Sequence, residues 1–163
     1  MKSYKFYLNA SNYFLDFTRN NKLNSEEKQY YYLSSVLLSW IALETFINTI
    51  SENFSIASRL NHHEKSFLNE RELKVNEEGI FEEISIRPST TKKILFLVHY
   101  FTRVNTKKFK QEKIWKDLKS FEDLRNKIIH YKEKNNIVIT TNKAEECKDL
   151  VNEFIRFLSK KFK

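Results

Sequence analysis

The stretch Tyr30–Ile50, YYYLSSVLLSWIALETFINTI, decides the fold, because as a helix it would be apolar on much of its circumference. Asn24 followed three residues later by Glu27 has the pattern of a capping box, so a long helix is predicted to begin there. Polar residues that include Ser39, Glu44, Thr45 and Asn48 interrupt the apolar run between Val36 and Ile50, which leaves the run short of a membrane span. The stretch therefore predicts the buried central helix of a bundle.

Composition favours one all-α domain over residues 1–163. The chain is 40% hydrophobic and 15% aromatic, which is enough to fold around a core. It contains a single Gly and a single Pro, and a protein of many strands needs such residues at its hairpins. Helices are therefore predicted to form most of the structure.

Apolar periodicity predicts further helices on both sides of the central one. The first covers roughly residues 3–19, and another follows a cap at Ser89 or Thr90 through KKILFLVHYFTRV. A helix over about residues 110–131 and a closing helix after an Asn142–Glu145 capping box complete the series.

The segment at about residues 55–88 breaks this pattern. Residues 61–72 predict a short helix, and the sequences ELKV and IFEEISI predict a small hairpin that turns at Gly79. The segment is therefore predicted to be an irregular or β-hairpin insertion in the helical domain.

Charge and cysteine usage indicate a partner class and a compartment. The formal charge of +8 and the pI near 9.4 favour nucleic acid as a partner, although biased composition with a solvated basic surface gives the same numbers. The lone Cys147 cannot form an internal disulfide, and the N-terminus lacks the unbroken apolar core of a signal peptide. A cytoplasmic protein with no membrane partner is expected.

The sequence RNKIIHY, residues 125–131, places chemically versatile side chains near the end of a predicted helix. Asn126 and His130 are four residues apart and share a helical face. Arg125 lies about 140° around the axis from His130, so the Arg must curl back or meet a site completed by a second chain. Favourable contact of basic residues with the helix C-terminal dipole is the structural alternative.

An Arg followed by four residues and then a His, with Asn directly after the Arg, resembles the Arg-x(4–6)-His signature of HEPN domains. The order of elements is also similar: a long apolar early helix, a late motif and a closing amphipathic helix. The resemblance implies a HEPN-like helical bundle in which two motifs face each other across a homodimer. It further implies metal-independent cleavage of RNA to a cyclic phosphate, in a toxin or phage-defence effector with an antitoxin or a defence-system protein as a further partner.

Within that resemblance the site residues take distinct roles. Arg125, Asn126 and His130 are the catalytic candidates: histidine titrates near neutral pH, and the guanidinium fork matches phosphate oxygens. Lys127 and Lys132 would attract RNA phosphates. The supporting candidates are Glu44, which either pairs with Arg125 or lies on a solvated edge, and Tyr131, which either contacts RNA or packs under the loop.

Other candidate groups give weaker evidence of function. The neighbouring His62, His63 and Glu64 point different ways and lack further ligands, so no metal and no cofactor are expected. His99 is predicted to be a core or interface residue. Two other functions remain open: a non-catalytic HEPN module that binds RNA, nucleotide or a protein partner, and a helical-bundle interaction protein with no nucleic-acid role.

Overall fold

The computed structural model describes residues 3–130 and 137–162. These residues form seven helices and one two-stranded hairpin: α1 (Ser3–Asn20), α2 (Ser25–Ser55), α3 (His62–Leu68), β1 (Arg71–Val75), β2 (Phe81–Ser85), α4 (Thr90–Phe101), α5 (Thr106–Phe109), α6 (Lys113–Ile129) and α7 (Thr141–Lys161). The prediction of an all-α fold with a long apolar helix and a small hairpin is confirmed.

Helix α2 is the centre of the bundle and packs against α1, α3, α4, α6 and α7. The predicted capping box begins it: the Asn24 side chain accepts from the backbone N–H of Glu27, and the Glu27 carboxylate accepts from the N–H of Asn24. Where α1 crosses α2, Ser11 donates to the Ser35 carbonyl at 3.0 Å and lies 2.9 Å from the Ser39 hydroxyl. These small side chains bring the helices close, and their hydroxyls satisfy one another inside the core.

The same helix passes a test of membrane-spanning potential by length and composition. The whole of α2 is long and apolar enough to cross a membrane, whereas the expectation concerned the shorter run from Val36 to Ile50 and stays a prediction. The core helix of a globular protein meets the same criterion. Eleven residues of α2 are buried, and four of these are serines whose hydroxyls lie inside the protein.

Aromatic side chains fill the core between α2, α6 and α7. Trp40 meets Phe121 edge to face, with ring centroids 5.2 Å apart. Phe109 is fully buried, stacks on Phe157 at 5.7 Å and lies 5.2 Å from Trp115. Such pairs add roughly 0.5–1.5 kcal/mol beyond the burial of their area. The rings therefore hold α5 and α6 firmly against α7.

The hairpin between α3 and α4 turns where the sequence predicts. Gly79 has a φ of 78°, a left-handed conformation that glycine adopts without strain, and the N–H of Asn76 donates to the Ile80 carbonyl at 2.9 Å. Val75 pairs directly with Phe81, and both side chains are exposed at the tip. A two-stranded hairpin is marginally stable alone, so its base needs an anchor.

Lys93 of α4 provides that anchor. Its side chain is only 3% exposed, and its ammonium lies 2.6 Å from the Glu70 carboxylate and 2.8 Å from Asn48 Oδ1. Glu70, directly before β1, has a φ of 59°, which costs a non-glycine residue free energy. The pair between the buried Lys93 ammonium and the partly exposed Glu70 carboxylate therefore holds the residue before β1 in a strained conformation.

Helix α6 is shorter than predicted. The helix expected over about residues 110–131 is α6, which begins three residues later, because the chain turns after the short α5 and α6 starts only at Lys113. Helix α6 ends at Ile129, so His130 is its C-cap residue with φ −98° and ψ 42°. Residues 131–136 lie outside the described part of the chain.

The predicted capping box at Asn142 is wrong. Helix α7 begins at Thr141, and its N-cap is Thr140, whose hydroxyl accepts from the N–H of Lys143 at 3.2 Å. The Gln29 side chain explains the shift, since it bonds both the N–H and the carbonyl of Ile139 at 2.8 Å. With Ile139 fixed to α2 in this way, the helix starts two residues earlier than the sequence pattern indicates.

We predict that Glu70→Gln lowers the free energy of unfolding by about 1–2 kcal/mol, because it removes the counter-charge of the buried Lys93 ammonium, although the Glu70 carboxylate itself is 42% exposed. Urea denaturation measures the change. The control is Glu72→Gln, since Glu72 is half exposed and lies 3.9 Å from Lys74, an arrangement worth less than about 1 kcal/mol. Equal effects of the two substitutions would show that the Glu70–Lys93 pair does not anchor the hairpin.

Candidate functional site

Arg125 lies near the end of α6 and points toward the middle of α2. Its Nη2 atom is 3.7 Å from Oε1 of Glu44, and its Nη1 atom donates to Oδ1 of Asn126 at 3.0 Å. The guanidinium carbon is 6.0 Å from the centre of the Trp40 ring, within the range of a cation–π contact. Two acceptors and an aromatic ring thus hold Arg125 while 27% of its side chain remains exposed.

Glu44 is the residue on which this arrangement converges. One of its oxygens, Oε1, accepts from the Trp40 indole N–H at 2.7 Å and from the Thr90 hydroxyl at 3.2 Å, and the same oxygen faces Arg125. The carboxylate is 34% exposed, so both sequence interpretations hold in part: it pairs with Arg125 and it lies at a solvated edge. Two hydrogen bonds fix the orientation of the carboxylate, and its charge attracts Arg125 at ion-pair distance.

The first turn of α4 lies between α2 and α6 and meets both helices through adjacent threonines. Thr90 donates to Glu44, and the Thr91 hydroxyl donates to Glu122 of α6 at 2.9 Å. The ammonium of Lys119 also pairs with the Glu122 carboxylate. Ser89 caps α4 and thereby sets the direction in which the two threonines project. The start of α4 therefore determines how α6, and with it Arg125, sits against α2.

The His130 side chain does not contact Arg125. Its backbone N–H donates to the Asn126 carbonyl at 2.9 Å and closes the helix, and its side chain is exposed. Across residues 3–130 and 137–162, no hydrogen bond or ion pair joins the His130 ring to Arg125 or Asn126. The structure brings Arg125, Asn126 and Glu44 together and leaves His130 outside this cluster.

The remaining predicted site residues divide into exposed and undescribed ones. Lys127 is exposed in the last turn of α6. Tyr131 and Lys132 lie outside the described residues. The expectation that Asn126 and His130 stack as two helical side chains is modified, because His130 is the cap and not a member of the helix.

Other titratable groups have roles in the fold. Burial raises the pKa of the Cys147 thiol to about 11, so it is neutral near pH 7 and is not an activated nucleophile. Glu64 completes the capping box of α3, and the Tyr100 hydroxyl donates to it, which lowers the pKa of that carboxyl. His99 is exposed, which corrects the expectation of a core position. Among the described residues, no group of three His, Cys, Asp or Glu side chains could hold a metal ion.

Sequence reasoning missed two residues that build this site. Trp40 lies four residues before Glu44, a helical spacing that predicts contact and was visible in the sequence WIALE. Thr90 is 46 residues from Glu44, and no local pattern signals their contact. A cluster of basic residues between Arg103 and Lys116 was also missed, although local charge density identifies it.

Comparison with known proteins gives no relative: no protein-family model, curated protein or solved structure matches this chain.

We predict that Glu44→Gln loosens Arg125, because the amide keeps an acceptor for Trp40 but removes the charge that faces the guanidinium. Modification of Arg125 by phenylglyoxal, followed by mass spectrometry, should become several-fold faster. Stability should fall by no more than about 1 kcal/mol, since the pair is partly exposed. Glu52→Gln, at an exposed position two turns along the same helix, is the control. An unchanged rate in Glu44→Gln would mean that Glu44 does not hold Arg125.

Proposed function

We propose that this chain is a metal-independent endoribonuclease of the HEPN type, acting as a toxin or phage-defence effector in the cytoplasm. The observation that carries the proposal is the Arg125 guanidinium, which Glu44, Trp40 and Asn126 hold at a partly exposed position five residues from an exposed histidine. A cation fixed before substrate arrives stabilises developing charge better than a mobile one. An antitoxin or a defence-system protein is the further partner that this function entails.

The reaction uses the ribose as its own nucleophile. The 2′-oxygen forms a bond to the adjacent phosphorus as a base removes its proton, and the bond from phosphorus to the 5′-oxygen breaks as that oxygen gains a proton. A histidine can serve in either proton transfer near pH 7. Arg125 would bind the non-bridging phosphate oxygens, which carry the growing negative charge. The products are a 2′,3′-cyclic phosphate and a free 5′-hydroxyl.

The separation of Arg125 and His130 supports a site shared by two copies. Within one chain the Arg side chain turns toward α2, whereas His130 projects from the end of α6. A twofold dimer that brings two α6 ends together would set Arg125 of one copy near His130 of the other. The active cleft would then lie between chains.

A second candidate, a non-catalytic HEPN module that binds RNA, nucleotide or a protein partner, has its own supporting observation. The Arg125 charge already faces Glu44, and Asn126 Oδ1 is already occupied by Arg125. A phosphate must compete with Glu44 for the guanidinium, which favours binding over rapid turnover. Cleavage assays separate the two candidates.

We predict that light scattering gives about twice the 19.7 kDa chain mass. We also predict that mixing two inactive variants restores activity. Arg125→Ala and His130→Ala chains, unfolded and refolded together, should recover roughly a quarter of wild-type cleavage, because half the dimers are mixed and each has one intact site. Each variant refolded alone is the control. A monomer, or a mixture without recovery, would contradict the shared cleft.

We also predict that His130→Ala lowers the rate of RNA cleavage by about 10²–10⁴, the usual effect of removing a general acid or base. Arg125→Ala should have a comparable effect through lost charge stabilisation, and Asn126→Ala a smaller one. Cyclic-phosphate ends and activity in EDTA complete the expected result. The controls are His99→Ala, an exposed His in the last turn of α4, and Arg71→Ala, an exposed Arg paired with Glu83. Full activity in His130→Ala, or its loss on chelation, would leave the binding module as the better candidate.

A further inference from the structure

Basic charge is concentrated in the connection from α4 to α6. Residues 103–116 contain one acidic residue, Glu112, and six basic ones: Arg103, Lys107, Lys108, Lys110, Lys113 and Lys116. The chain as a whole has 29 basic residues in 163, so this segment has more than twice the average density. All six basic side chains are exposed.

The segment is rigidly attached to the core. Phe109, between the lysines, is fully buried and packs on Trp115 and Phe157. Asn105 caps the turn by accepting from the backbone N–H groups of Lys107 and Lys108 at 2.9 and 3.2 Å. The lysines therefore project from a fixed backbone, which lowers the entropy lost when a ligand binds them.

The described carboxylates form no ion pair with these cations, although Lys113 lines a groove that also contains Asp117 and acidic residues of α7. In the part of the chain that the structure describes, none of the six cations is within 4.0 Å of a carboxylate oxygen, whereas Lys93, Lys119 and Arg125 all are. Unpaired cations that lie close together raise the local potential and attract a polyanion. Scattered surface lysines produce no such local maximum.

Helix α6 connects this segment to the candidate site. At 100° per residue, Lys113, Lys116 and Lys127 lie within about 60° of one another on one exposed face, and the helix rises about 25 Å from Lys113 to His130. Asp117 and Asp123 border the same face, and Asp117 is one turn from Lys113, so the positive charge is strongest at Lys107, Lys108 and Lys110. A strand of several nucleotides would span the distance from there to His130.

We propose that residues 103–116 form the surface that holds the phosphate backbone of RNA, with the cleaved bond placed at the far end of α6. The identity of the polyanion as RNA rests on the proposed function. The contacts are to phosphates, so binding along this surface does not depend on base sequence. This surface is separate from Arg125 and His130, and its loss weakens substrate capture without removing the chemistry.

The test compares two triple variants that lose the same net charge. Lys107, Lys108 and Lys110 are changed to Gln in one variant, and the exposed Lys5, Lys22 and Lys160 are changed to Gln in the control, both in a His130→Ala background so that RNA stays intact. Fluorescence anisotropy measures the affinity for a labelled single-stranded RNA of mixed sequence at several salt concentrations. The segment variant should lose at least tenfold in affinity at low salt, and its slope against log salt should fall by about 2, at roughly 0.7 for each lost phosphate contact. The control should stay within about twofold of its parent.

The outcomes separate this inference from the proposed function. Equal losses in both variants would show that net charge alone drives binding, and an unchanged segment variant would show that RNA binds elsewhere; either overturns the inference while leaving cleavage as a separate question. Selective loss of binding to phosphatidylserine vesicles, with RNA affinity intact, would assign the segment to a membrane surface and also overturn it. Selective loss of RNA affinity in a protein whose wild type cleaves no RNA would support this surface and reject the ribonuclease.

Discussion

The position of the candidate site depends on one carboxylate oxygen, Oε1 of Glu44. It accepts from Trp40 of its own helix and from Thr90 of α4, and it faces Arg125 of α6, so three helices meet at a single acceptor. A carboxylate in an otherwise apolar stretch is costly to desolvate unless it is compensated, and here two hydrogen bonds and one ion pair compensate it. The packing of α2, α4 and α6 around this oxygen therefore offsets the cost of partly burying the Glu44 carboxylate.

The first turn of α4 strengthens this junction through its helix dipole. Glu44 and Glu122 both accept from side chains in that turn, where the partial positive charge of a helix N-terminus favours carboxylates by about 0.3–1 kcal/mol each. Because Glu122 and Arg125 are one turn apart on α6, fixing the first also fixes the rotation of the second. Arg125 must then face α2, and His130 must point elsewhere. The distance between the proposed charge stabiliser and the proposed base follows from the packing and is not a local irregularity.

The features that short-range patterns control could be predicted from the sequence. The Asn24–Glu27 capping box, the hairpin turn at Gly79 and the Ser89 cap are short-range signals, and each lies where it was predicted. The prediction for the start of α7 failed where a distant residue intervened, because Gln29 binds both backbone groups of Ile139. The candidate site follows the same rule. Glu44 could be matched to Arg125 from the need to compensate a carboxylate, but the contribution of Thr90 depends on packing across 46 residues.

The net charge of +8 is unevenly distributed along the chain, which has one acidic cluster and one basic cluster. Residues 70–83, mostly the hairpin, carry six glutamates against one arginine and one lysine, whereas residues 103–116 carry six basic residues against one glutamate. Coulomb forces between exposed charges act over about 8–10 Å at physiological ionic strength, so each cluster acts locally and the two do not cancel. The hairpin therefore repels a polyanion, and residues 103–116 attract it. The total charge sets how strongly the protein collects counter-ions, whereas the location of these two clusters sets which part of the surface attracts a polyanion.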